Sequence, residues 1–408
     1  MSDDQYSLYL PCPRGLEQAL REEIAEIDGC GAQVQAEHAA GLSLRASLRD
    51  VMLLNLHTRI ASRVLLRVAQ APVAHADDIY RLALRQPWEQ WFDADSTLRV
   101  DVTAERSPLQ SLHFALLRAK DGVCDHFRLR DGRRPSVARD DPQARVHLHL
   151  DAASATLYLD TSGEALFKRG WRGAHGEAPL KENLAAGLLR LAGWTPQAVL
   201  YDPFCGAGTL VIEAAQRACG IAPGLQRGFG FERLRGFDAA VWRELRARAQ
   251  AARREPVAPI VAADIDPRMV ALTRDNARRA GVEAALELRQ ADALEGGAPL
   301  ELAPGQSGWV LSNPPYAERI EAKGAQAEHL LPRLGDRLKQ RFVGWNAALL
   351  LADLRAERSL GLKAARRHVL YNGPIECRLF TFALVAGRPQ RKPGADSREA
   401  QPGPGVTQ

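Results

Sequence analysis

From about residue 198 the chain alternates short apolar runs with longer amphipathic ones: AVLYDPF, LVIEAAQRAC, PIVAADID, PRMVALTRDNARRAG, LELRQAD, GWVLSNPP, LLPRLGDRLKQRF and NAALLLADL. The short runs read as buried strands and the longer ones repeat their apolar residues at helical spacing. Such alternation specifies an α/β architecture, a mostly parallel sheet covered by helices on both faces. The order changes at the end, where HVLYNG and ECRLFTFALVAG flank an NGP turn and predict an antiparallel hairpin closing the sheet edge. Residues from about 388 onward (GRPQRKPGADSREAQPGPGVTQ, from Gly387) are rich in Pro, Gly and charge and are expected to form a disordered tail, 388–408.

Residues 1–165 follow another pattern, mixed α+β. QYSLYL reads as a strand, RGLEQALREEIAEI as a helix, and LRDVMLLNLHTRIASRVLLRV carries apolar residues at helical spacing throughout. TLRVDVTAE then predicts a strand and SLHFALLRAKDGVCDHFR a helix, while RVHLHL and ATLYLDTS predict two strands joined by a DAAS turn. His147 and His149 alternate with Val146, Leu148 and Leu150, so they belong on one polar strand face.

With 408 residues, 46% of them hydrophobic and 25% charged, the chain can bury a core and fill two or three domains. A net charge of +5 suits an anionic partner without specifying one. The six cysteines, at 12, 30, 124, 205, 219 and 377, form no CxxC pair and have no histidine at ligand spacing, so neither a metal site nor a disulfide framework is expected. No run of eighteen apolar residues occurs, and the acidic start MSDDQYSLYLPCPRG is unlike a signal peptide, which predicts a cytoplasmic protein.

The chemistry concentrates at strand ends. DPFCGAGT, residues 202–209, lies between the strand AVLY and the helix LVIEAA, where Gly206 and Gly208 permit a tight turn and let backbone N–H groups approach a ligand at a helix N-terminus. A nucleotide-like ligand is implied; a plain packing turn is the alternative. A nicotinamide oxidoreductase would need GxGxxG, and GAGTLV has no third glycine.

NPPY, residues 313–316, ends the strand GWVLS. Consecutive prolines cannot continue a ladder, so the chain must leave the sheet with the Asn313 amide and the Pro314 carbonyl held in place. Both are acceptors, and an exocyclic amine on guanine, adenine or cytosine offers two N–H donors, while Tyr316 can stack on the base. Alone such a sequence is a turn; after DPFCGAGT it reads as a site for methylating an amine. A C5 target would require a cysteine nucleophile in this loop, which has none.

Asp264, in VAADID, is placed to accept from ribose hydroxyls, and Asp292, in LRQADAL, to accept from an adenine amine. Asp266 competes with Asp264, although before PRMV it would also make a good helix N-cap. Residues 225–255 carry Arg227, Arg233, Arg235, Arg243, Arg246, Arg248, Arg253 and Arg254 against Glu232, Asp238, Glu244 and Glu255. This stretch reads as a solvated helical excursion with nucleic-acid contact as a second use.

DPFCGAGT, ADIDP and NPPY, in this order, resemble the class I, Rossmann-like methyltransferases of the amino-methylating kind. SPLQSLHFALLRAKDGV, RPSVARDDPQARVHLHL, DTSGEALFKRGWR, PLKENLA and LYNGPIECRLFTF resemble the THUMP-containing RNA methyltransferases, most closely the bacterial 23S rRNA guanine-N2 enzymes. The likeness extends over about residues 5–387.

The resemblance implies a ferredoxin-like N-terminal domain at 1–60, a THUMP domain at 61–165 that presents RNA, and a Rossmann-like methyltransferase domain at 166–387, beginning near Phe167. It implies S-adenosylmethionine as methyl donor and a guanine amine of 23S rRNA, naked or in a large-subunit assembly intermediate, as acceptor. Asp202, Pro203, Gly206, Gly208 and Thr209 would line the methionine side, with Lys181, Glu182 and Asn183 nearby. Asp264 would take the ribose, Asp292 the adenine, and Asn313, Pro314 and Tyr316 the target base. Some members carry a second methyltransferase domain after the first; here the tail stands in its place, so a single guanine-N2 activity is expected. Alternatives are a tRNA guanine-N2 or DNA adenine-N6 methyltransferase, or a non-catalytic RNA-binding assembly factor.

Overall fold

The computed structural model describes residues 4–173, 180–315, 330–352 and 355–385. Tyr316 and the tail 388–408 lie outside the described residues.

The first half is built on one eight-stranded sheet, in spatial order β2-β3-β1-β4-β8-β7-β5-β6. Its strands are β1 (Tyr6–Pro11), β2 (Gln33–His38), β3 (Gly41–Ala46), β4 (Leu65–Pro72), β5 (Thr97–Ala104), β6 (Ser136–Val137), β7 (Ala144–Leu150) and β8 (Ser154–Asp160). Four helices accompany them: α1 (Glu17–Ala25), α2 (Leu48–His57), α3 (Ala76–Leu84) and α4 (Leu112–Asp131). Cross-strand pairing places Val34, Leu44, Leu8, Leu66, Leu159, Val146 and Val100 in one continuous row. A neighbouring row, Arg67, Tyr158, His147 and Asp101, is polar, and strand periodicity puts it on the other face. His147 and His149 share that face, where both bond the Thr103 hydroxyl. The boundary expected near residue 60 falls in the α2–β4 loop, inside this single sheet, because β1 and β4 pair antiparallel.

The helical spacing across 48–68 is overridden halfway. The capping box of Ser47 and Asp50 starts α2, but the helix stops at His57 and the LLRV run becomes β4. The cause lies 35 or more residues upstream: the Glu23 carboxylate accepts the Thr58 hydroxyl and the N–H groups of Arg59 and Ile60, drawing the chain out of the helix.

The second half is a seven-stranded sheet in the order β11-β10-β9-β12-β13-β15-β14. Its strands are β9 (Val199–Asp202), β10 (Ile260–Asp264), β11 (Glu287–Gln290), β12 (Gly308–Ser312), β13 (Asn346–Leu351), β14 (Arg366–Asn372) and β15 (Ile375–Ala383). The first five are parallel and the last two form the expected antiparallel hairpin. The helices are α5 (Glu182–Ala192), α6 (Thr209–Ala218), α7 (Ala239–Ala251), α8 (Pro267–Ala280), α9 (Leu330–Arg341) and α10 (Ala356–Leu360). Alternate residues of the sheet enter two cores: Leu200, Ala262 and Leu311 in one, Val199, Val261 and Val310 in the other. The strand order reverses between β9 and β12, which opens a crevice at the carboxyl ends of the strands.

The halves share a seam. Leu16, just before α1, packs against Gly187 of α5 so closely that an added Cβ there would lie 2.3 Å from Leu16 Cδ1. Glu213 of α6, fully buried, accepts from Arg59 at 3.2 Å and Arg169 at 3.0 Å. The 225–255 stretch belongs to this seam, which corrects its reading as a solvated excursion. Phe229, Phe231 and Trp242 form a buried aromatic cluster, and Arg227 donates to the carbonyls of Ala165 and Glu164. Arg233 pairs with Asp141 and Arg235 with Asp93. Arg243 and Arg248 remain exposed. Among the described residues no helix is long and apolar enough to cross a membrane.

Candidate functional site

The crevice is built from the ends of β9, β10, β11 and β12. After β9 the chain turns through Gly206, at φ +53°, and Gly208, at φ +83°, which caps α6. An L-side chain at Gly208 would meet Thr273 Cγ2 at 2.7 Å, whereas one at Gly206 would meet nothing within 4 Å. Gly208 therefore serves close packing on α8, and Gly206 faces open space. Buried side chains of α8 hold the loop: Thr273 Oγ1 donates to the Gly206 carbonyl at 2.7 Å and Asn276 Nδ2 to the Ala207 carbonyl at 2.9 Å.

Asp264 ends β10 with its carboxylate turned to this loop. One oxygen accepts the Gly206 N–H and the other the Asp266 N–H, each at 3.0 Å. Asp266 caps α8 with Pro267 behind it, accepting the Arg268 N–H and pairing with the Arg268 guanidinium. Between these acids Ile265 is 63% exposed, a large apolar side chain bare at the rim of a polar loop. The Ala291 N–H donates to the Asp264 carbonyl, which sets Asp292 beside Asp264; its carboxylate accepts the Leu294 N–H at 2.8 Å.

Asp202 is buried, 2% exposed, and accepts both the Ser312 hydroxyl and the Phe204 N–H. Burial pushes its carboxyl up to about 7; the two donors draw it back and the charge of Asp264 adds to the rise. Pro203 follows, buried. Cys205 is also buried, which raises its thiol well above the ordinary range and keeps it protonated at neutral pH.

Across the crevice, Arg172 gathers three groups. Its guanidinium donates to Thr209 Oγ1 at 2.6 Å, to Glu182 at 2.7 Å and to the Leu180 carbonyl at 3.0 Å. Glu182 and Thr209 are thereby joined, both buried. Lys181 is exposed, with its ammonium 5.0 Å from the Phe167 ring centroid. Asn183 turns toward the first half, donating to Ser62 Oγ at 3.1 Å and the Ile60 carbonyl at 3.3 Å. Its Oδ1, buried, has no hydrogen-bond partner among the described residues. Asn313 and Pro314 leave β12, the first half-buried and the second buried.

Arg172, Ser312, Ile265, Thr273 and Asn276 were not singled out from sequence. Only the basic character of the 167–183 connector and the bare Ile265 between two acids offered any signal.

The donor set fits S-adenosylmethionine. It offers a glycine loop with open space above it, helix-start N–H groups, carboxylates at successive strand ends and an exposed aliphatic side chain beside them. No group of three His, Cys, Asp or Glu among the described residues could hold a metal.

A family model described as RMKL-like, methyltransferase domain, matches residues 169–381. The chain belongs to the RMKL-like methyltransferase family. Ahead of that domain, the RlmL ferredoxin-like domain matches residues 7–65 and the THUMP domain residues 73–160. The chain is 38% identical over 410 residues to "Ribosomal RNA large subunit methyltransferase K/L" of Pseudomonas putida; the match covers 98% of this chain and 55% of that one. It thus spans about half the length of such relatives. Among solved structures, SMU.472, complexed with SAH, superposes with a TM-score of 0.83 at 27% identity, covering 95% of this chain and all of that one. A protein of Listeria monocytogenes described as a "predicted N6-adenine-specific DNA methylase" gives 0.81 at 28% identity, covering 93% and 96%.

Proposed function

We propose that this RMKL-like methyltransferase transfers a methyl group from S-adenosylmethionine to the exocyclic N2 amine of a guanine in 23S rRNA. The observation that carries the reading is the placement of the Asn313–Pro314 exit of β12 beside the glycine loop of β9, on adjacent parallel strands. The P. putida relative, named for the large-subunit rRNA, supports that RNA as substrate, and the THUMP match supports an RNA partner.

When bound, S-adenosylmethionine supplies an electrophilic methyl that needs little beyond in-line placement. Asp264 accepts from its ribose hydroxyls and Asp292 from its adenine amine, with Asp266 occupied as helix cap. The loop 202–209, with Lys181 and Glu182 on the connector side, frames the methionine end, while the Asn183 amide group is engaged with the first half. The Asn313 amide and Pro314 carbonyl orient the two N–H groups of the target amine, and Tyr316 stacks on the base. A paired guanine must be flipped out, at a cost of about a few kcal/mol.

The test is methyl transfer from radiolabelled S-adenosylmethionine to protein-free 23S rRNA, bulk tRNA and duplex DNA, followed by nucleoside analysis. N2-methylguanosine in 23S rRNA alone is the expected result. Label in tRNA overturns the substrate, and N6-methyladenine in DNA would favour the activity named for the Listeria protein. Donor binding without label in any of the three favours a non-catalytic RNA-binding role.

A further inference from the structure

The Asp202 carboxyl is buried with no cation paired to it among the described residues. An apolar residue would cost less there, because an acid in the core forfeits hydration. What the carboxyl gains is position. A single oxygen, Oδ1, accepts from two places at once: the Phe204 N–H at 3.1 Å, which opens the glycine loop, and the Ser312 hydroxyl, the side chain immediately before Asn313. Ser312 is fully buried. The strands that carry the two residues pair in parallel, Val199 with Gly308 through Tyr201 with Val310, so the bond spans their carboxyl ends where the chain leaves the sheet on both sides. Asp264 continues the lacing to the next strand through the Gly206 N–H.

We propose that Asp202 and Ser312 are a positioning pair that fixes the Asn313 amide relative to the donor loop, and that Asp202 acts through its Oδ1 as an acceptor rather than by presenting negative charge to the donor. The inference rests on the methyl-transfer reading above. It follows from geometry: in-line transfer needs donor and acceptor held to within a fraction of an ångström, and a displacement of about 1 Å costs roughly a hundredfold in rate. Backbone pairing alone sets the register of β9 and β12; the side-chain bond sets the two loops beyond it.

The experiment measures kcat and KM for both substrates, affinity for S-adenosylhomocysteine, and Tm in the full chain and in S312A, D202A and D202N. S312A is expected to lower kcat by about tenfold to a hundredfold, with KM for S-adenosylmethionine changed by no more than about threefold; D202A, which also frees the Phe204 N–H of the donor loop, is expected to lower kcat at least as far. D202N is expected to recover most of what D202A loses, since an amide oxygen at the same place accepts from both donors. A purely structural bond would lower Tm in S312A and leave kcat intact, which overturns the proposal. So would D202N as inactive as D202A with donor binding lost, because that outcome assigns Asp202 a direct charge contact. If D202A does not fold, S312A, a loss of one buried oxygen, decides. Wild-type protein that methylates none of the nucleic acids sinks the methyl-transfer reading and this inference with it; wild-type turnover with S312A unimpaired sinks only the positioning pair.

Discussion

Arg172 and Thr209 meet at 2.6 Å, guanidinium to hydroxyl, so a side chain from the connector holds the first residue of the helix behind the glycine loop. The same guanidinium reaches Glu182 at the start of α5, and the starts of two helices are tied through one cation. R172A is expected to weaken S-adenosylhomocysteine binding by about tenfold, read by calorimetry, through loss of charge-assisted hydrogen bonds. R172K should recover little, because one ammonium cannot span the planar fork's three acceptors. Unchanged affinity in R172A would show that the tie is irrelevant to the donor.

Glu213 accepts from two arginines while fully buried. E213Q keeps the shape and removes the charge that bridges the Arg59 and Arg169 guanidiniums in the seam. The expected loss is about 3–5 kcal/mol of unfolding free energy by urea titration. A loss below about 1 kcal/mol would mean that water already solvates this cluster.

Asp202 gives stability a pH dependence of definite sign. Its folded-state value of about 7 exceeds the ordinary 3.8, so between those values the folded chain holds a proton that the unfolded chain has released. Stability from this group is therefore present below about pH 4 and is lost as pH rises through 7. D202N carries no such cost, so the Tm difference between D202N and wild type should grow from pH 5 to pH 8. The shift corresponds to at most about 4 kcal/mol. A difference that stays flat over that range would place the folded value at or below the unfolded one.

The two glycines of the loop should fail differently. G208A forces a β-carbon at φ +83° into Thr273 and is expected to lower Tm by several degrees along with donor affinity. G206A meets no protein atom, so its methyl intrudes on the ligand's space: donor affinity should fall with a smaller loss of Tm. Equal Tm losses in the two variants would contradict the assignment of separate roles.

N313A should abolish turnover, by a hundredfold or more, while binding of S-adenosylhomocysteine stays within about twofold, since the proposed role of the amide is to orient the acceptor amine. Retained turnover would remove Asn313 from the acceptor site.

The second half was legible because its strands are buried on both faces and advertise themselves as apolar runs, and because glycines and prolines must stand where the chain leaves a strand. Asp264, Asp292 and Asn313 follow from that, being placed by strand ends. What stayed hidden depends on partners distant in the chain. The break of the 48–68 helix is made by Glu23, and the brace at 225–255 by acids such as Asp93 and Asp141. Arg172 lies 37 residues from Thr209, and a serine such as Ser312 carries no signal until the strand beside it is known.

The close contact of Gly187 with Leu16 bears on how such a chain can be inherited. Exchange of the first half for another module would require the newcomer to present, at fixed points, a leucine against a bare helix backbone, a guanidinium to Glu213 and a hydroxyl to Asn183. A recombinant lacking any of these would carry a void or an uncompensated charge through its centre. The seam thus acts as a keyed joint, and the catalytic half is not an interchangeable part.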